Sequence, residues 1–216
     1  VFVKFLPQNR LPFVFNLIEA LSLFKKSMAA GISQFITGSF PAVSNSIANL
    51  VKGFENVGIF SLADKIASVF SLISLSIFTV LLPKNSRKKR NNVKYEILEL
   101  MILSGGILVM SVCATLILPV LLAFVFGQKF AGSIQILDLL ILSSALTAIG
   151  SFIENYFFIE EKTHTLAVVS ITKLLVFVVL GIVVVPSFGV LGLAWSHVGV
   201  ALLSTSTLFI IGLKFH

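Results

Sequence analysis

Apolar residues run through this chain in long unbroken stretches, not in the alternation of a half-buried strand or the one-sided stripe of a soluble helix. Six stretches, at about 27–50, 58–82, 97–126, 133–158, 165–185 and 189–213, reach the roughly 20 residues that a helix needs to cross the ~30 Å hydrocarbon core of a bilayer. Charged and turn residues part them: Lys52 to Asn56, the run PKNSRKKR from Pro83 to Arg90, Gly127 to Lys129, Glu160 to His164, and Pro186 to Gly189. A transmembrane barrel would instead show segments of about ten residues alternating in polarity. The pattern predicts an all-α polytopic membrane protein with six transmembrane helices over 27–213. Ahead of them, LPFVFNLIEALSLF (11–24) is too short to span and carries Glu19. It reads as an interfacial or linker helix, or as the end of a helix that begins upstream. Residues 1–26 are thus expected to form a cytoplasmic linker.

Composition strengthens this reading. The chain is 57% hydrophobic and 12% charged, with mean hydropathy +1.06, well above the ~45–50% apolar usage of soluble domains. Its one cysteine, Cys113, lies inside an apolar run, so neither a disulfide framework nor a Cys/His metal set is expected. No basic stretch, short apolar core and cleavage site opens the chain. Its start at Val1 reads as part of a longer protein, or as the remnant of a broken one.

The net charge of +7 is distributed unevenly, and that fixes an orientation. Six crossings put the leading segment, the 83–96 connection, the 159–164 connection and the C-terminus on one side. Twelve lysines and arginines fall there, including Arg87, Lys88, Lys89, Arg90 and Lys94, against Lys52 and Lys129 opposite. Positive connections resist translocation, so that side is cytoplasmic, with both termini on it. PKNSRKKR is then first an orientation anchor, with anionic lipid head groups as a second role. Nucleic acid is not an expected partner, because no aromatics interleave with the basic residues and no soluble domain carries them.

Several polar residues sit inside the predicted spans. In the first, Gln34, Thr37, Pro41, Asn45 and Asn49 recur at spacings of three and four, which places them on one helical face. Pro41 should bend that helix. Such a face serves either close helix packing or a polar cavity. The second span carries Ser61, Asp64, Ser68 and Ser71 on one face; Ser61 with Asp64 also resembles a helix-capping pair. Lys173 stands near the middle of the fifth span, where a lysine costs about 2.5–3.5 kcal/mol to insert. It pairs structurally with Glu154 or Asp138, or it binds an anionic substrate. His197 is mid-helix in the sixth span, suited to hydrogen-bonded packing or to proton transfer. No HExxH, GxSxG, Walker or glycine-rich phosphate motif occurs, and the short outer connections disfavour a polysaccharide polymerase or ligase. No enzyme, metal site or cofactor is expected.

Four stretches together resemble the polysaccharide flippases of the Wzx type. FVFNLIEALSLFKKSMAAGISQF is similar to their linker and seventh helix, and NVGIFSLADKIASVFSLIS resembles a helix start that follows it. VFGQKFAGSIQILDLLILSSAL resembles their Phe-Gly turn into a small-residue helix start, and VVVPSFGVLGLAWSHV their Pro-aromatic-Gly turn into the last helix. The resemblance runs from about residue 11 to the C-terminus. It implies one six-helix lobe of a two-lobe transporter in the superfamily of multidrug and polysaccharide exporters, located in the bacterial cytoplasmic (inner) membrane, with the N-terminal lobe as a missing partner. The implied cargo is an undecaprenyl-diphosphate-linked oligosaccharide for surface polysaccharide such as O-antigen, with a polymerase and chain-length proteins as further partners. On that expectation Gln34, Thr37, Asn45, Ser68 and Ser71 replace water around the sugars and Lys173 offsets the diphosphate. Asp64, Asp138, Glu154 and His197 are candidates for a coupling ion. A drug or cation exporter of the same superfamily, relying on the acidic residues, is the alternative.

Overall fold

A computed structural model describes residues 17–49, 54–90, 97–126 and 131–214, and these are helical apart from the short connections. Six helices follow in order: α1 (Leu17–Ala48), α2 (Phe54–Ala67), α3 (Val69–Arg90), α4 (Ile97–Phe126), α5 (Ala131–Ile159) and α6 (Thr163–Lys214). Four segments are long and apolar enough to cross a membrane: 57–87, which joins α2 and α3, then 101–125, 133–159 and 163–214. The chain is therefore an all-α protein built for a membrane. The polar residues of α1 keep it out of that set, although at 32 residues it is ample in length.

The 52 residues of α6 would extend for about 78 Å if straight. Instead the helix folds back on itself. The rings of Phe177 and His197 lie 4.6 Å apart, where a straight helix would hold them ~30 Å apart. The reversal falls at Gly189, whose φ of 61° belongs to the left-handed region that glycine adopts freely. Gly192 lets the arms close tightly, since a Cβ there would stand 2.8 Å from Val184 Cγ1 and Phe188 Cβ. Pro186, near the end of the first arm, cannot donate to the preceding turn and helps to end it.

Packing pairs give each helix a direction. Ser33 meets Ser170 and Ile47 meets Gly181, so α1 runs parallel to the first arm of α6, 163–188. Ser133 bonds to Ile59, Ser74 to Ala148 and Asn155 to Phe78, so α5 runs parallel to α2–α3. Thr205 donates to the Leu146 carbonyl and Leu208 clusters with Ile153 and Phe157, which aligns the second arm, 190–214, with α5. Ile107 packs with Ala145 and Ala148, while Leu118 and Leu122 join the cluster of Ile136 and Leu137. That sets α4 antiparallel to α5. The bundle thus alternates in direction along the chain, with α5 at its centre: 56% of the apolar window of α5 is buried, against 17% for α4.

Two expected boundaries differ. No helix end separates residues 26 and 27; α1 is continuous from Leu17. Residues 17–30 hold no glycine or proline, and lysines such as Lys25 and Lys26 favour helix almost as well as leucine does. The expected separate helix at 11–24 is, in its described part, the first turns of α1. Likewise PKNSRKKR is not a loop. It is the last two turns of α3, which continues through Arg90. Asn85 is buried there, and Lys84 pairs with Glu99 at the start of α4. The side chains of Lys88, Lys89 and Arg90, the connection 91–96, and Lys52 and Lys129 lie outside what the structure describes.

Candidate functional site

Two irregularities of helical hydrogen bonding flank the middle of the bundle. In α1, Pro41 has no N–H to give to the carbonyl of Thr37 one turn earlier. Between α2 and α3 the helix is interrupted at Ser68, with Ser71 N–H bonding back to the Ser68 carbonyl at 3.0 Å. Serine hydroxyls add to this interruption: Ser68 donates to the Lys65 carbonyl (2.7 Å) and Ser71 to that of Ser68 (2.6 Å). Such back-bonding satisfies hydroxyls inside a helix and favours curvature.

Beside Pro41 and Ser68 lie two adjoining polar chambers. The first, about 190 Å³, is lined by Thr37, Phe40 and Pro41 of α1, Asp64, Ser68 and Ser71 of α2–α3, Ser143, Ser144 and Thr147 of α5, and Ser170, Lys173 and His197 of α6. The second, about 150 Å³, is lined by Gln34 and Thr37, Ser71 and Ser74, Thr147, Ser151 and Glu154, and Ser170, Lys173 and Ser204. Thr37, Ser71, Thr147, Ser170 and Lys173 border both. Along α3 and α5 the first chamber takes the earlier residues and the second the later ones, so the pair is stacked along the bundle axis. Gln34, Thr37, Ser68 and Ser71 are exposed, and the chambers open between α1 and α2–α3. Helix α4 lines neither.

Lys173 stands at the waist. Its Nζ rests 5.1 Å from the centroid of the Phe40 ring, a favourable site for a cation over an aromatic face. It makes no hydrogen bond or ion pair among the described residues. The expected pairing with Glu154 or Asp138 therefore takes a different form. Glu154 shares the second chamber with Lys173 without a direct ion pair, and Asp138 lines neither chamber. The Oδ1 atom of Asp138 is buried without a hydrogen-bond partner among the described residues.

The other predicted positions sort in the same way. Gln34, Thr37, Ser68 and Ser71 meet around Lys173 as one polar lining. Asn45 lines neither chamber; its Oδ1 accepts a hydrogen bond from the Ser61 hydroxyl at 3.2 Å and braces α1 against α2. Asp64 lies well inside α2, not at a helix start, so it is no cap, and its carboxylate lines the first chamber. His197 Nε2 pairs with Ser44 Oγ at 2.7 Å, and its ring stands 4.6, 5.6 and 5.9 Å from those of Phe177, Phe40 and Phe60. Packing and cavity lining meet in that one residue. Arg87 is exposed on the helical end of α3, away from both chambers.

The sequence reading passed over the wall supplied by α5. Ser143, Thr147 and Ser151 recur every four residues, with Ser144 beside them. That spacing marks a hydroxyl stripe in a helix otherwise rich in leucine and isoleucine. Ser74 and Ser204 complete the second chamber. The arrangement suits recognition of a polar ligand by hydroxyls, two carboxylates and one ammonium. No family model, curated protein or solved structure matches the chain.

Proposed function

We propose that the chain is one six-crossing lobe of a transporter that moves a polyprenyl-diphosphate-linked oligosaccharide between the leaflets of a bacterial cytoplasmic membrane. The six crossings would be α1, α2–α3, α4, α5 and the two arms of α6. The observation that carries the reading is Lys173: an ammonium without a direct partner, held at the waist of a hydroxyl-lined interior within a membrane-type bundle. A cation in the membrane interior characteristically faces a pathway or a bound counter-charge. A diphosphate and its sugars need that charge and those hydroxyls in place of water, whereas the polyprenyl tail can stay in lipid through an opening such as that between α1 and α2–α3. Alternating access would come from rocking this lobe against a second one about the polar site. The basic end of α3 would lie in the cytoplasm, so a cysteine at Lys89 should be labelled only after the membrane is permeabilised.

A cation exporter is the second reading. Asp64 and Glu154, one carboxylate in each chamber, support it. The two readings part on the sign of the ligand. With the chain in nanodiscs, a polyprenyl-diphosphate glycan should bind and an organic cation should not. Lys173→Ala should weaken that binding by about tenfold or more, as expected when one partner of a desolvated charge pair is removed. Binding unchanged by Lys173→Ala, or preferential binding of the organic cation, overturns the first reading.

A further inference from the structure

The hydroxyls of the first chamber fall into two sets. Those of Thr37, Ser68 and Ser71 are committed, each donating to a carbonyl of its own helical segment, and Ser170 shares its hydrogen bond with Ser33. Those of Ser143, Ser144 and Thr147 make no hydrogen bond among the described residues. The Asp64 carboxylate and the Lys173 ammonium likewise make no hydrogen bond or ion pair among the described residues, although Lys173 rests on the Phe40 ring and faces Glu154 in the second chamber. Five polar groups from three elements thus converge, without hydrogen-bond or ion-pair partners among the described residues, on about 190 Å³. That is room for several waters, in a chamber that is partly open. Ser143 is buried and the other four are half-buried, and a few convergent polar groups in a pocket are what orients a ligand.

The chemistry of the five narrows the ligand. Lys173 fixes an anion. Asp64 accepts hydrogen bonds from ligand hydroxyls and opposes a second anion. The α5 hydroxyls both donate and accept. A bare phosphate would satisfy Lys173 and be repelled by Asp64. A neutral sugar would satisfy Asp64 and α5 and leave the ammonium alone. A sugar joined directly to a phosphate uses the whole set.

We infer that this chamber holds the glycosyl-phosphate junction of the cargo, the phosphate on Lys173 and the adjoining sugar ring between Asp64 and the Ser143–Thr147 turn of α5. The inference rests on the function proposed above and specifies which part of the cargo this lobe reads. The distal sugars then lie outside it.

The test uses the full chain in nanodiscs of zwitterionic lipid, titrated with a hexose 1-phosphate, inorganic phosphate and the methyl glycoside of the same hexose. The sugar phosphate should bind about tenfold more tightly than phosphate, the worth of one or two well-placed hydrogen bonds to a charged group, and the methyl glycoside should bind most weakly. Asp64→Asn and Thr147→Val should each shrink the preference for sugar phosphate over phosphate without abolishing phosphate binding, and Lys173→Ala should remove both. Because the readout is a ratio on one preparation, loss of folded protein does not imitate it. Equal affinity for sugar phosphate and phosphate, or a ratio untouched by Asp64→Asn, overturns the inference. If the polyprenyl-diphosphate glycan binds through Lys173 while that ratio is one, the inference fails and the transport reading stands. A clear ratio without any binding of the lipid-linked glycan overturns the transport reading and leaves the chamber assignment in place.

Discussion

Helix α4 and the α1/α3 opening are both thinly covered, yet they expose opposite chemistry. The uncovered side chains of α4 include Met101, Leu108, Leu116, Val120 and Phe124; Cys113 is exposed among them. Across the bundle, the exposed chamber residues include the polar Gln34, Thr37, Ser68 and Ser71, with Pro41 and Leu75 beside them. In water both surfaces would count simply as exposed. In a bilayer the first matches hydrocarbon and the second less so. The hydroxyls of Thr37, Ser68 and Ser71 are satisfied by helix carbonyls, but the Gln34 amide would lack partners in lipid, at a cost of several kcal/mol. The lesson is that exposure in a membrane bundle has to be read together with polarity: α4 has the composition of a wall toward lipid, and the α1/α3 side is the more polar of the two.

The largest effect that can break this contrast is a charge placed on each wall. Leu116, 71% exposed, sits mid-helix in α4, and Leu116→Arg should cost about 2–4 kcal/mol of insertion or folding free energy. Thr37→Arg, in the opening, should cost under about 1 kcal/mol, since a side chain there can stay in the polar space. Folded yield in membranes, followed by unfolding in a mild denaturing detergent, measures both. Equal penalties at the two positions would erase the distinction between the walls.

Chemical labelling sharpens the same point with less perturbation. Cys113 should react with an apolar maleimide and resist a charged thiosulfonate. Ser71→Cys, on a Cys113→Ser background, should react with the charged reagent about tenfold or more faster, because the thiolate is the reacting species and needs water around it. Comparable rates at both sites would mean that the opening is closed to water.

How much of this was legible from the chain depends on the kind of signal involved. The apolar runs indicated α4, α5 and the two arms of α6 closely but cut α1 and α3 short by several residues, and Pro186–Gly189 indicated where α6 reverses, because both signals are local. Lys25–Lys26 and PKNSRKKR misled for one shared reason: charge was read as a break, although lysine and arginine propagate helix well, and in α3 the helix continues even through Pro83. The face of Gln34, Thr37, Ser68 and Ser71 could be read from helical spacing. Asn45, on the same predicted face, braces a neighbouring helix instead of lining a chamber. Which acid stands near Lys173 could not be read, since it depends on the register between α5 and α6. Glu154 meets it across a chamber, whereas Asp138, four turns earlier on α5, lines neither. The α5 hydroxyls were hidden by the leucines around them.

Gly189→Ala should have a smaller effect, localised to one side. An alanine held at φ 61° and ψ −149°, a region essentially reserved for glycine, costs about 1–3 kcal/mol, and the strain falls on the hairpin that brings Phe177 and His197 together on the chamber side. Labelling at Ser71→Cys should then speed up or slow down while Cys113 stays unchanged. A change at Cys113 as well would show that the hairpin supports the whole bundle and not the polar side alone.

The smallest effect belongs to Lys84. Its pairing with Glu99 joins the helical end of α3 to the start of α4, but the lysine side chain is 51% exposed. A pair so exposed is screened by water and salt and contributes at most about 1 kcal/mol, with a median closer to zero. Lys84→Ala should therefore leave thermal unfolding nearly unchanged, and added salt should not alter the difference. Ile107 and Leu122 hold α4 against α5 by apolar packing. If Lys84→Ala instead loosens α4, measured as faster amide exchange along 97–126, the lipid-facing wall depends on its polar anchor. The contrast between a passive apolar wall and an active polar one would then have to be redrawn.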